Sequence, residues 1–415
     1  MTVRGLTPPE SGSPYPVSFW FQFLVVVVLG LLATSPGGTA SAAEWAAEPL
    51  ISVKGEYNSN LLLSPTTPGE VYGHWVSPGV RFTGSTESLE IGGRMAADFV
   101  RYYGDKDVSL TNLYFPLSVK YKTDRDTIGL DTGLTRDNTL MSELQQTGAV
   151  LAFTQRNLWN VNPTWTHALT EKANLITSYQ FNDVSYEHGA PAGLADYRVH
   201  TVSGGSSYAF TERDQVQGMM VYTNFHVPTV GLTSNIYGAQ FSYTHAFDET
   251  FTATVSGGPR MLSSSLDSAQ ASARENSLVW VFGGVLEKKF AHLQVKLDGG
   301  REVLPSGFGI LLRTDRVGLK IGHQVNEKLL LELLTQGYLV EGITTRNGRN
   351  VIPLTSYTTF TPRATWRFSE WWSATVSYSY ADQRRIDAPT ANDAATGHST
   401  FFMITYFPPK LSFSR

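Results

Sequence analysis

The residues able to do chemistry in this 415-residue chain are mostly charged side chains set singly among small polar ones. Arg81, Glu90, Arg94, Asp98, Lys120, Asp131, Lys296, Asp298, Arg316, Lys320, Glu332, Arg363 and Arg367 share one phase of an alternating pattern whose other phase is apolar. Eight are basic and five acidic. On one face of a wall, both signs together bind water and steer polar solutes, as charged rings do in pores. Taken singly, such residues also pair with neighbours and fill the wall. The basic excess suggests a mild preference for anions.

Other chemistries have weaker support. The chain has no HExxH, P-loop or GxSxG motif. Its nine histidines, at 74, 167, 188, 200, 226, 245, 292, 323 and 398, stand singly without metal-ligand spacing. Ser206 or Ser207 with His200 or His245 would form a nucleophile and base only if strand registers brought them together. Glycine pairs at Gly92, Gly204, Gly257, Gly283 and Gly299 read as bends or close strand approach, not phosphate loops. The absence of cysteine excludes disulfides, zinc ribbons and thiol catalysis. The expectation is a non-enzyme without metal or cofactor. A net charge of −4 excludes a nucleic-acid binder relying on bulk positive charge. Charged residues make up 16% of the chain, well below the roughly 25% of soluble domains.

The elements that must hold these residues are long strands. Phe251, Ala253, Val255 and Gly257 alternate with Thr252, Thr254 and Ser256. Trp372, Ala374, Val376, Tyr378 and Tyr380 alternate with four Ser or Thr residues, and the period of two recurs at 237–244 and 359–368. One face is apolar and the other wet. Runs of about 10 to 17 residues exceed the usual strand of a sandwich or propeller, and a tilted strand crosses a bilayer in about 9 to 11.

Short polar turns around Glu87, Asp124, Glu171, Glu212, Glu249, Lys288, Glu327 and Glu370 recur about every 40 residues, each unit holding one hairpin. Between them lie connections that are often longer: 59–71, 140–149, 187–194, 263–275, 342–353 and 385–395, with shorter ones at 105–107, 228–232 and 302–306. Short turns on one rim and longer loops on the other predict an all-β fold, a transmembrane antiparallel up-and-down barrel of about 18 strands (16–18), with periplasmic turns and extracellular loops. No connection reads as a long constriction loop. The start of the chain adds a leader: one basic residue (Arg4), the apolar run Phe19–Leu32, then small residues to Ala43, as in a cleavable signal peptide over 1–43, leaving 44–415 as barrel.

The patterns Trp159-Asn-Val-Asn-Pro-Thr-Trp165, Leu169-Thr-Glu-Lys172 and Ser178-Tyr-Gln-Phe-Asn-Asp-Val-Ser-Tyr186 carry a resemblance. Over about Leu50 to Phe407 the chain resembles the outer-membrane β-barrel porins associated with exopolysaccharide and exosortase systems of Gram-negative bacteria. The resemblance implies residence in the cell outer membrane. It also implies outer-membrane lipid, the barrel assembly machinery and polysaccharide export components as partners. One departure concerns the aromatic residue that ends such barrels. Pro408-Pro409 and a tail follow the expected last strand Phe401–Phe407, leaving Phe413 as the alternative.

Tyr102, Tyr103, Tyr179, Tyr186, Trp280, Trp371, Trp372 and Tyr406 are expected in interfacial girdles. Trp75 and Tyr114 fall on the wet phase and fit a sugar-stacking platform better. A lumen of this strand number leaves an aqueous channel unless plugged. Three readings follow: a passive pore for small polar solutes, an export or anchoring component for a surface polysaccharide, and, least favoured, a barrel hydrolase.

Overall fold

The computed structural model describes residues 44–414 apart from 67, 105–106, 145–153, 269–270, 344, 347–348, 351 and 388–393. The expected leader therefore lies outside the described residues.

Strands succeed one another along the chain: β1 Glu44–Asn58, β2 Val71–Ser85, β3 Leu89–Gly104, β4 Val108–Lys122, β5 Asp126–Asn138, β6 Gln155–Ala168 and β7 Ala173–Tyr186. Next come β8 Tyr197–Ala209, β9 Asp214–Val227, β10 Leu232–Asp248, β11 Phe251–Ser268, β12 Ala271–Lys289, β13 Leu293–Pro305, β14 Leu311–Asn326 and β15 Leu329–Gly342. A two-residue ladder, β16 Thr345–Arg346 with β17 Arg349–Asn350, decorates one loop. The chain ends with β18 Thr355–Arg367, β19 Trp372–Arg385, β20 Ala394–Tyr406 and the short β21 Leu411–Ser414.

Leaving aside the β16–β17 ladder and β21, 18 strands form the wall. Each pairs antiparallel with the next, and Ile51–Asn58 of β1 pairs with Ser399–Tyr406 of β20 to close the ring. Closure removes the free edges that an open sheet would expose. Pro408 and Pro409 interrupt the ladder after β20, since proline has no N–H to donate. Pairing with β1 resumes in β21, where Phe413 stands opposite Trp45.

Six of the turns at one rim share a local device. A Ser, Thr or Asn oxygen accepts the N–H three residues on: Thr86 from Leu89, Thr123 from Asp126, Thr170 from Ala173, Thr211 from Asp214, Asn326 from Leu329 and Ser369 from Trp372, all at 3.0–3.1 Å. One expected turn moves: Lys288 sits inside β12, and the reversal falls at Phe290–His292. At the other rim, the expected 263–275 loop is mostly strand. β11 and β12 run to 18 and 19 residues, paired as far as Ser268↔Ala271. Of the 149–159 region, 149–153 lie outside the described residues, and Gln155 onward belongs to β6.

The registers assign every wall residue to one of two faces. Tyr186, Phe225, Leu312, Tyr338 and Tyr357, from strands around the ring, share one buried cluster. The outer faces of a closed barrel cannot meet, so this phase points inward. The opposite phase carries exposed Tyr72, Phe99, Met220, Phe241, Val255, Trp280 and Phe402, an apolar band of the kind that faces lipid.

Candidate functional site

Register places all 13 charged residues singled out in the sequence on the inward phase. Arg81 stands opposite Arg94, Glu90 opposite Lys120, Asp298 opposite Gly318, Lys296 opposite Lys320, and Glu332 opposite Arg363. Several are satisfied locally. Glu90 pairs with Lys122 at 2.5 Å, Asp298 with Arg316 at 2.8 Å and Lys320 with Glu332 at 3.8 Å. Asp98 accepts from the Tyr114 hydroxyl. The Arg363 and Arg367 guanidinium groups lie 5.8 and 5.4 Å from the Phe401 and Phe407 rings. Among the described residues no carboxylate lies within ion-pair distance of Arg81, Arg94, Lys120, Lys296, Arg363 or Arg367, so six of the eight basic residues are open positive charges of the wall.

A cavity of about 690 Å³ occupies the lumen against β1–β3 and β18–β20. Ser52, Lys54, Glu56, Arg94, Asp98 and Arg363 line it, and Leu61, Leu63, Leu140 and Tyr357 also border it. Lys54 and Glu56, which the sequence reading passed over, pair at 2.9 Å. The Lys54 ammonium also sits 3.4 Å from the Trp75 ring centroid. Trp75 is inward, as its phase implies, and meets Tyr102 edge-on at 5.2 Å.

Tyr102 and Tyr186 correct the girdle expectation. Both are inward and buried, whereas Tyr103, Tyr179, Trp280, Trp371 and Trp372 are exposed as expected. An aromatic near a strand end suits either face, and the register decides.

A larger correction concerns the loops. The segment after β5 folds inward as a single π-helical turn, Leu140–Leu144, burying Leu140, Ser142 and Glu143. Phe308 and Ile310 of the β13–β14 connection pack inside as well, against Leu194, Val199, Phe225, Leu232, Ile236, Leu312 and Val340. An apolar plug therefore fills the loop end of the lumen on the β7–β15 side. A constriction is present although no segment looked long enough to make one.

A polar clasp ties the plug together. Glu143 Oε1 accepts from the Tyr186 hydroxyl at 2.5 Å, and the same carboxyl accepts from the Gly307 backbone N–H. Beneath it Arg156 makes a bidentate pair with Asp137, at 3.0 and 2.7 Å, both side chains under 9% exposed. Burial pushes the Glu143 carboxyl above the usual range, against the opposing pull of Tyr186, Gly307 and Arg156. Parity with Asp131 would have found Asp137 in the sequence; nothing local marks Glu143.

On the outward phase at the loop end, Arg136–Glu187, Asp183–Arg198, Arg301–Asp315 and Arg313–Glu341 form ion pairs. These mark where the apolar band stops, because unpaired charges at bilayer depth are costly.

The imagined catalytic pairs are not assembled. His200 Nδ1 pairs with the Tyr179 hydroxyl at 2.8 Å, His245 Nδ1 with Asp214 at 2.7 Å, and Ser207 with Asn174 at 3.4 Å. All seven strand histidines take the outward phase. Among the described residues no cluster of His, Asp or Glu could hold a metal ion.

No family model and no curated protein matches the chain. Among solved structures, the chain is similar to OccAB4 of Acinetobacter baumannii at 12% identity and TM-score 0.45, covering 91% of this chain and 100% of that one. It is also similar to OccAB3 of the same organism (10%, 0.42, 88% and 99%) and to the outer membrane protein OprD of Pseudomonas aeruginosa (8%, 0.44, 89% and 94%).

Proposed function

We propose that this protein is an outer-membrane channel for small polar solutes, narrowed at its loop end by a folded-in plug. The observation that carries the reading is the inward phase: Arg94, Asp98, Arg363, Lys54 and Glu56 line one continuous wet cavity, while the outer face is an apolar band. The 13 charged residues supply the lining that replaces water around a solute, and the open positive charges of Arg94, Arg363 and Arg367 favour anions. The short-turn rim is periplasmic and the loop rim extracellular. The working partners are outer-membrane lipid and the assembly machinery for such barrels, and residues 1–43 act as the signal peptide that delivers the chain.

A second reading, a component of exopolysaccharide export or anchoring, expects a barrel closed until a partner opens it, and the apolar plug favours it. Single-channel recording separates the two. A pore conducts alone, and an export component does so only when unplugged.

A further inference from the structure

Pairing between β12 and β13 stops at Phe282↔Arg301, while β12 continues beside β11 to Ala271↔Ser268 and β13 beside β14 to Pro305↔Leu311. The two strands part at the level of the Arg301–Asp315 pair, where the apolar band ends. A cavity of about 290 Å³ lies there, lined mostly by inward-phase residues. Its volume is at the lower end of the roughly 300–1,000 Å³ of small-molecule pockets.

Two unlike charges line this cavity, Arg260 of β11 and Glu302 of β13. The half-buried Arg260 donates through Nη1 to the Ala239 and Pro259 carbonyls, at 2.9 and 3.3 Å, and through Nη2 to Gln240 Oε1 at 2.7 Å. Gly238 opposite it makes the room, since a Cβ there would stand 2.5 Å from Arg260 Cδ and Nη1. Of the five N–H donors of an arginine, Nε–H and the second Nη2–H are left. Two such parallel donors take a carboxylate bidentately, and no carboxylate among the described residues pairs with Arg260. Glu302 shares the inward phase of Asp298 and is exposed to the lumen. Arg301 and Arg316, beside it in the wall, are taken by Asp315 and Asp298. No cation among the described residues pairs with Glu302.

With β12 between them, β11 and β13 are two strand spacings apart, about 10 Å. The two charges are thus left open on one small cavity, and each is complemented by a ligand that carries the opposite charge. Val199, Phe225 and Ile236, which belong to the buried cluster around the plug, give the same cavity an apolar wall, and Thr223, Gln240 and Ser256 give it a polar one.

We infer that Arg260 and Glu302 are the two poles of a binding site for a zwitterionic α-amino acid with an apolar side chain. The ligand carboxylate takes the Nε edge of Arg260, its ammonium takes Glu302, and its side chain rests on Val199, Phe225 and Ile236. A ligand with one charge only would leave the other pole uncompensated. The inference rests on the channel reading, which brings solutes into the lumen, and names the solute class that the β8–β13 side of the wall selects.

The test uses L-leucine as probe on the refolded full barrel. Isocaproate, which lacks the ammonium of leucine, and isoamylamine, which lacks its carboxylate, serve as counterparts. Heat-modifiable gel mobility confirms that each variant is folded. Equilibrium dialysis should show saturable leucine binding at least tenfold tighter than that of either counterpart. Arg260→Met should weaken leucine at least tenfold and leave isoamylamine within twofold. Glu302→Gln should weaken leucine at least tenfold and leave isocaproate within twofold. Folded wild type without saturable leucine binding, equal binding of all three probes, or leucine binding indifferent to either variant would each overturn the site. Salt conductance in the same preparations reports on the channel separately: a conducting barrel that fails the binding assays loses the site and keeps the channel.

Discussion

The Tyr186 hydroxyl donates to Glu143 Oε1 across 2.5 Å, and that bond fastens the loop leaving β5 to the inner face of β7. Gly307 completes the clasp from the β13–β14 connection, so three separate chain segments meet at one carboxylate.

Gly307 has no room for a side chain: a Cβ there would stand 2.4 Å from the Tyr186 hydroxyl and 3.1 Å from Glu143 Oε1. Gly307→Ala and Glu143→Ala should both loosen the plug and raise single-channel conductance several-fold. The loss of a buried hydrogen bond is worth about 1–3 kcal/mol. Equal conductance in wild type and both variants would show that the clasp does not narrow the path.

The clasp should depend on pH. Burial raises the Glu143 carboxyl above its unfolded range. Its neutral form is therefore the one favoured in the folded-in loop, and the stabilisation present at low pH is lost as pH rises through the folded value. Tyr186, Arg156, the Gly307 N–H and Asp137 act on the same carboxyl and set how far that window moves, with Tyr197 also close to it. Conductance should rise from acid toward neutral pH in wild type. Glu143→Gln, fixed in the neutral form, should keep the low-pH conductance throughout.

Arg156 and Asp137 form a buried pair at the base of the plug. Removing one partner leaves the other charge buried and alone, at a cost of about 3–5 kcal/mol. Asp137→Ala should lower the urea midpoint of barrel unfolding, followed by gel mobility. Replacing both residues with apolar ones should recover most of that loss.

The outward phase should tolerate no mid-band charge. Phe241 is 67% exposed on that face, and Phe241→Arg should destabilise the barrel in lipid by about 2–4 kcal/mol. Thr244, one phase inward on the same strand, should accept Arg at far smaller cost.

The wall was legible in the sequence because a period of two survives any tilt or twist, and because Thr123, Thr170 and Thr211 mark turns by local hydrogen bonds. Parity alone carried Arg94, Asp298 and Arg363 to the inner face, and Trp75 and Tyr114 with them. The plug was not legible. Leu140, Glu143, Phe308 and Ile310 sit in connections with no period, and their burial depends on strands far away in the chain. Tyr102 and Tyr186 were misplaced because an aromatic near a strand end is compatible with a girdle until the register is known.

The most direct test of the account is single-channel current through the mature barrel in a planar lipid bilayer, with an Arg94→Glu, Arg363→Glu, Arg367→Glu variant beside it. A small steady conductance in wild type, with ion selectivity shifting toward cations in the variant, is the predicted result. A correctly folded barrel that stays silent, or a conductance whose selectivity ignores the three reversals, would contradict a polar channel lined by these residues.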